Sequence, residues 1–162
     1  RALEIDPNQR TTRLQRAVSL RRAGQIDAAI DAYQALLKVE PRYVKAWYNL
    51  GIALVAEQRS DEAVRAYEEA LSLDQDHWGA RKNLGLLYLR QGREDAARLQ
   101  LGEALERRPA DSEVRLALAR LAASSGDPAT CKIHVDAALS QNAENAEARE
   151  LRGKCDERRD EG

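Results

Sequence analysis

The chain has 162 residues, with 26 Lys and Arg against 27 Asp and Glu and a formal net charge of −1. That balance excludes a nucleic-acid binder held by bulk charge, and no apolar run approaches the roughly 18 residues that a membrane-spanning helix needs. Apolar residues make up 43%, enough for a core, but aromatics only 4%, with no Phe and no Met, so the composition suits thin layers filled mainly by Leu and Ala.

Taken in order, the chain opens on RALEIDP, which matches EALSLDQ at Glu69–Gln75 and EALERRP at Glu103–Pro109. Residues 1–9 therefore read as the end of a preceding repeat helix, and a longer parent with more repeats upstream is expected. The first full repeat spans 10–43. Its second helix carries Ala29, Tyr33, Leu36 and Leu37 and stops at Pro41. Its first helix keeps an apolar face of Leu14, Val18 and Leu20, but Arg13 and Arg16 stand where the next repeat has Trp47 and Leu50. Gly24 marks the turn between the two helices.

The repeat at 44–77 holds Trp47, Leu50, Gly51, Ala63, Tyr67 and Ala70, with Asp61 and Glu62 at the positive end of its second helix. The repeat at 78–111 holds Leu84, Gly85, Tyr88, Gly92, Ala97, Ala104 and Pro109, with Arg81 in place of the tryptophan. Trp78 opens its first helix and is expected to pack over the preceding repeat. The repeat at 112–145 keeps Leu118, Ala119, Gly126, Ala138 and Leu139, and Asp127–Pro128 forms a strong helix start. Residues 146–162 predict a capping helix with Leu151 on its apolar side and charge elsewhere, then a frayed end at Asp160–Gly162.

The period is 34 residues: Leu3, Leu37, Leu71, Leu105 and Leu139 recur at that interval without a break. Ala29, Ala63, Ala97 and Cys131 form a second series, and Ala17, Gly51, Gly85 and Ala119 a third. A mid-helix glycine costs about 1 kcal/mol relative to alanine. Gly51 and Gly85 thus predict a close approach of two helices, with larger side chains closing over it. Cys131 stands where the repeat wants a small residue and reads as a buried free thiol. Cys155 shares no metal-ligand spacing with it, and His77 and His134 are isolated. The compartment stays open, with the cytoplasm as the default.

The pattern of Trp47, Leu50, Gly51, Ala63, Tyr67 and Ala70, with its 34-residue period, resembles the tetratricopeptide repeat. The resemblance implies an all-α fold: a right-handed superhelical solenoid of helix–turn–helix repeats with a C-terminal capping helix. The first helices would line a concave groove. It also implies a non-enzymatic protein–protein interaction scaffold that takes a partner segment in that groove. No phosphate loop or catalytic constellation is recognisable, and no cofactor or metal is expected.

The family's groove positions here hold Arg21 and Arg22 in the first repeat, and Lys45, Tyr48, Asn49 and Ile52 in the second. The third supplies Lys82, Asn83, Leu86, Leu89 and Arg90, and the fourth Arg120. The full set of these positions contains six basic residues and a single acid, Glu113, so an extended, acidic partner segment is expected. Asn49 and Asn83 resemble two rungs of the asparagine ladder by which sugar-transferase members of the family hold extended peptides. A carboxylate clamp fails, because Lys82 is followed four residues later by Leu86. The alternatives are a self-associating scaffold, packing through an open N-terminal repeat face, and a regulatory arm of a larger enzyme such as a glycosyltransferase. Neither nucleic acid nor membrane insertion is expected.

Overall fold

A computed structural model describes residues 7–157 of the chain, and within them the elements are helices joined by short turns. They are α1 (Pro7–Arg22), α2 (Ile26–Val39), α3 (Val44–Ala56), α4 (Ser60–Leu73), α5 (Trp78–Arg90), α6 (Glu94–Arg107), α7 (Ser112–Ser124), α8 (Pro128–Gln141) and α9 (Ala146–Glu157). The expected helix end before Pro7 and the frayed Asp160–Gly162 lie outside the described residues.

α1 includes residues 7–9, which the expectation assigned to a preceding repeat helix. Thr12 Oγ1 donates to the Asn8 carbonyl at 2.8 Å within it.

The chain divides into two compact units, one ending at Ala80 and the other starting at Arg81. In the first, α1 packs on α2, α2 on α3 and α3 on α4. α2 buries Ala29, Ile30, Tyr33, Leu36 and Leu37, a stripe at helical spacing that leaves the opposite face to solvent. α4 buries Ala63, Val64, Ala66, Tyr67 and Ala70 in the same way. Arg59, just before α4, makes no capping bond and instead grips Glu62 through two hydrogen bonds of 2.7 and 2.8 Å.

The small-residue series does what the period required. A Cβ on Gly51 would lie 2.5 Å from the Tyr67 ring, and one on Gly85 would lie 2.7 Å from Leu101 Cγ and 3.1 Å from Leu101 N. The large groups that close over the glycines are thus Tyr67 and Leu101. Both stand sixteen residues after their glycine and are fully buried.

Two further repeat positions emerge only in the structure. Tyr43, His77, Asp111 and Asn145 precede first helices at intervals of 34. The last three accept a hydrogen bond from the backbone N–H three residues on, at Ala80, Val114 and Ala148. His77, isolated in sequence, is therefore a helix cap. The second position is the Trp47 slot. Trp47 Nε1 donates to the Pro41 carbonyl at 2.8 Å, and Arg115 Nε donates to the Pro109 carbonyl at 2.8 Å. An arginine replaces the tryptophan there because both reach back six residues with an N–H. Arg81 instead pairs with Glu103 on α6.

In the second unit, α6 packs on α7, α7 on α8, and α9 on both α7 and α8. Among its described side chains α9 buries Ala148, Leu151 and Cys155. These join Leu116, Ala119, Ala122, Cys131, Val135 and Ala138 in one apolar cluster. Cys131 is buried as expected, but it is not a free thiol: it is bonded to Cys155, with the Cα atoms 5.9 Å apart. Only the docking of α9 brings the two sulfurs together across 24 residues of chain, and neither spacing nor composition shows that.

Candidate binding surfaces

α3 separates its residues sharply. Ala46, Leu50, Gly51, Ala53 and Leu54 are buried, whereas Lys45, Tyr48, Asn49 and Ile52 are exposed or half-buried. Of the four expected site residues, Lys45 is therefore exposed, and Tyr48, Asn49 and Ile52 are half-buried outside the most buried stripe. Tyr48 lies across the start of α5: its ring centroid is 4.7 Å from that of His77 and 6.2 Å from that of Tyr67. A Cβ on Gly79 would come 3.0 Å from its hydroxyl. Asn49 Nδ2 donates to the Lys45 carbonyl at 2.7 Å, which orients its amide on the helix surface. In α1, Arg22 is exposed and Arg21 half-buried. Burial raises the Tyr33 hydroxyl above its ordinary pKa, and the positive charge of the nearby Arg21 guanidinium partly offsets this.

In the second unit, Lys82, Asn83, Leu86 and Leu89 are half-buried, and Arg90 and Arg120 exposed. The expectation of a basic face needs correction here. Lys82 Nζ lies 2.5 Å from Glu113 and 3.2 Å from Asp111. Burial pushes the Lys82 ammonium down, but its bonds to Glu113 and Asp111 outweigh this and hold its pKa above the ordinary value. Arg120 pairs with Glu147 of α9. Asp111 and Glu147 escaped the sequence count because they belong to a helix cap and to the next helix, not to groove positions. Among the described residues Arg22, Lys45 and Arg90 have no ion-pair partner, so the uncompensated charge is smaller than six cations suggested.

α7 also departs from expectation. Leu116 and Ala117 occupy groove positions, yet are 5% and 1% exposed. Leu116 belongs to the cluster that α9 covers. Beside it, a cleft of about 310 Å³ is lined by Leu86, Glu113, Leu116, Arg120, Asn145 and Glu147, among others.

A larger depression lies in the first unit and was not foreseen. It measures about 440 Å³, with Leu37, Trp47, Leu50, Leu54 and Ala66 on its apolar walls and Lys38 and Arg65 among its charged ones. Trp47 is consequently half-buried, not enclosed. Among the described residues no group of three or more His, Cys, Asp or Glu is placed to hold a metal ion, and no helix is long and apolar enough to cross a membrane.

The tetratricopeptide-repeat family model matches residues 14–76, 50–113 and 83–130, well over half of the chain. The chain belongs to the tetratricopeptide-repeat family. Among solved structures, MamA aligns with a TM-score of 0.87 at 20% identity, over 93% of this chain and 82% of that one. YrrB, a tetratricopeptide-repeat protein, gives 0.79 at 22%, over 91% and 81%. A repeat protein from Parabacteroides merdae gives 0.85 at 18%, over 94% and 61%. No curated protein sequence matches it. At these identities the likeness carries the fold: an all-α solenoid of helical repeats. The family assignment makes the chain a protein-interaction scaffold. Repeats of this kind are in general non-catalytic.

Proposed function

We propose that the chain binds an extended partner segment along the exposed faces of its first helices, and that this segment is acidic where it meets the first unit. The observation that carries the reading is α3, which presents an exposed cation beside a half-buried aromatic ring, amide and aliphatic side chain. Lys45 and Arg22 have no acid among the described residues to compensate them. The second N–H and the carbonyl oxygen of Asn49 make no bond among the described residues, which suits a peptide backbone that donates and accepts at once. Asn83 carries an amide at the corresponding position of α5. Tyr48, Ile52, Leu86 and Leu89 supply apolar contact, and Arg90 a further cation. The similar protein YrrB is described as having an unusual peptide-binding site, which supports a peptide as the ligand class.

The test is selection of peptides from a displayed library on the intact chain, followed by affinity measurement with variants. Asn49→Ala with Asn83→Ala should weaken a selected peptide by about 1–3 kcal/mol per amide where the site is dry. Charge reversal at Glu68 and at Arg98, on second helices, should change little. Binding lost through the second-helix reversals and kept in the double asparagine variant would move the site off the first helices.

A second reading, self-association, is favoured by Leu99 and Ile133. They hold equivalent positions on α6 and α8 and are 58% and 64% exposed. Light scattering across a concentration series separates the two: a monomer at all concentrations removes self-association.

A further inference from the structure

We propose that the Cys131–Cys155 bond is a thiol–disulfide latch on α9, and that it governs whether Arg120 is available to a ligand. The inference rests on four features of the second unit. α9 is a 12-residue helix of mostly charged side chains, anchored among its described residues by three buried ones, Ala148, Leu151 and Cys155. Helices with so few apolar contacts open locally far more readily than the body they sit on. The one covalent tie is the bond from Cys155 to Cys131 of α8. The same helix carries Glu147, which neutralises Arg120 and forms part of the wall of the cleft beside Leu86 and Leu116.

The coupling follows from that arrangement. With the bond closed, α9 cannot leave α8, Glu147 stays on Arg120, and the cleft keeps its wall. Reduction by a dithiol breaks the S–S bond: two electrons and two protons pass to the cysteines, two thiols form, and the dithiol becomes a disulfide. α9 is then held by Ala148, Leu151 and surface ion pairs such as Lys132–Asp156 and Arg152–Asp136, which are weak where exposed to solvent. Its excursions remove Glu147 and leave the Arg120 guanidinium on α7 without its ion pair. Leu116 and Ala122, covered by α9 in the closed form, become accessible with it. The sequence offers a natural mimic of the reduced state, because Cys131 occupies the slot that Ala29, Ala63 and Ala97 fill in the other repeats. Cys131→Ala should leave the α7–α8 packing intact.

The experiment is hydrogen–deuterium exchange of the intact chain, with and without a small dithiol reductant, read together with phenylglyoxal labelling of Arg120. Closing a loop of this length restricts opening enough that exchange in 146–157 should be roughly 100-fold faster after reduction. Cys131→Ala should show the same acceleration without reductant, while the cores of α7 and α8 stay protected. Arg120 labelling should rise in both cases. Glu147→Gln in the oxidised chain should raise Arg120 labelling without speeding α9 exchange, which separates loss of the ion pair from loss of the latch. Two titratable thiols in the chain kept under air, or α9 exchange unchanged by reduction, would overturn the proposal. No partner peptide enters this test, so its failure leaves the binding reading of the first helices standing.

Discussion

The two units carry the same repeat and treat two pairs of first-helix cations in opposite ways. In the first, Arg22 and Lys45 stand on first helices with no acid among the described residues to answer them. In the second, Lys82 and Arg120 occupy equivalent faces but are held by Asp111, Glu113 and Glu147. The difference comes from three acids: Asp111 at a helix cap, Glu113 in the first turn of α7 and Glu147 on the terminal helix. Periodicity governs packing in both units alike, whereas the charge balance on their first helices differs between them.

The packing half of that comparison can be broken most strongly at Tyr67. Its ring is 1% exposed and covers Gly51, so Tyr67→Ala should cost about 3–5 kcal/mol in chemical denaturation. The equivalent Leu101→Ala, a smaller side chain in the second unit, belongs toward the lower end of the 2–5 kcal/mol range for aliphatic truncations. Equal losses would mean that the two glycine contacts differ less than their partners' sizes imply.

Trp47→Ala comes next. Trp47 is half-buried over an open depression and bonded to the Pro41 carbonyl, so the loss should be about 2 kcal/mol, below that of an enclosed tryptophan. Trp47→Arg should recover part of it, since Arg115 makes the same bond in the second unit. A Trp47→Arg variant no more stable than Trp47→Ala in denaturation would show that the shared bond contributes nothing.

A smaller effect sharpens the comparison at the turns. Gly24, Gly92 and Gly126 have φ of 77°, 72° and 73°, and Gln58 takes the equivalent place in the first unit at 58°. Left-handed backbone costs a residue with a side chain about 1–2 kcal/mol, while glycine pays more entropy on folding. Gln58→Gly should therefore stabilise by about 0.5–1 kcal/mol, visible as a raised denaturation midpoint, and Gly92→Gln should do the reverse.

The smallest expected effect is a pH dependence in the second unit. Burial, and then the nearby Arg115 guanidinium, holds the His134 pKa below 6.5. The folded chain thus favours neutral His134 more than the unfolded chain does. Its contribution is fully present above pH 6.5 and is lost as pH falls through 6.5 toward the folded value. In His134→Gln, that part of the decline in stability measured below pH 6.5 should disappear.

Much of this was legible in the sequence, and the reasons are physical. Helices, turns and the close approach at Gly51 and Gly85 follow from apolar spacing and from glycines that only a packed contact explains. The placement of Lys45, Tyr48, Asn49 and Ile52 off the most buried face of α3 follows from the same spacing, since Ala46, Leu50, Ala53 and Leu54 fill the buried positions. Three features were hidden because they depend on where separate helices meet. The Cys131–Cys155 bond needs α9 docked on α8. The neutralisation of Lys82 and Arg120 needs Asp111, Glu113 and Glu147 brought alongside. The half-burial of Trp47 reflects the small Ala66 and short aliphatic walls around it, which leave a depression unfilled. The cap role of His77 did have a signal, its 34-residue spacing from Asp111 and Asn145, which are common cap residues.

The central claim, that uncompensated cations of the first unit recruit the partner, is tested most directly by association kinetics. An acidic peptide selected on the intact chain would be measured against Arg22→Gln with Lys45→Gln, and against Lys82→Gln with Arg120→Gln, at low and high salt. The first pair should slow association about tenfold at low salt, with the gap closing as salt screens the charges, and the second pair should change the rate less than about twofold, since its charges are already neutralised. Slower association from the second pair alone, with the first pair indistinguishable from the unaltered chain, would contradict the account.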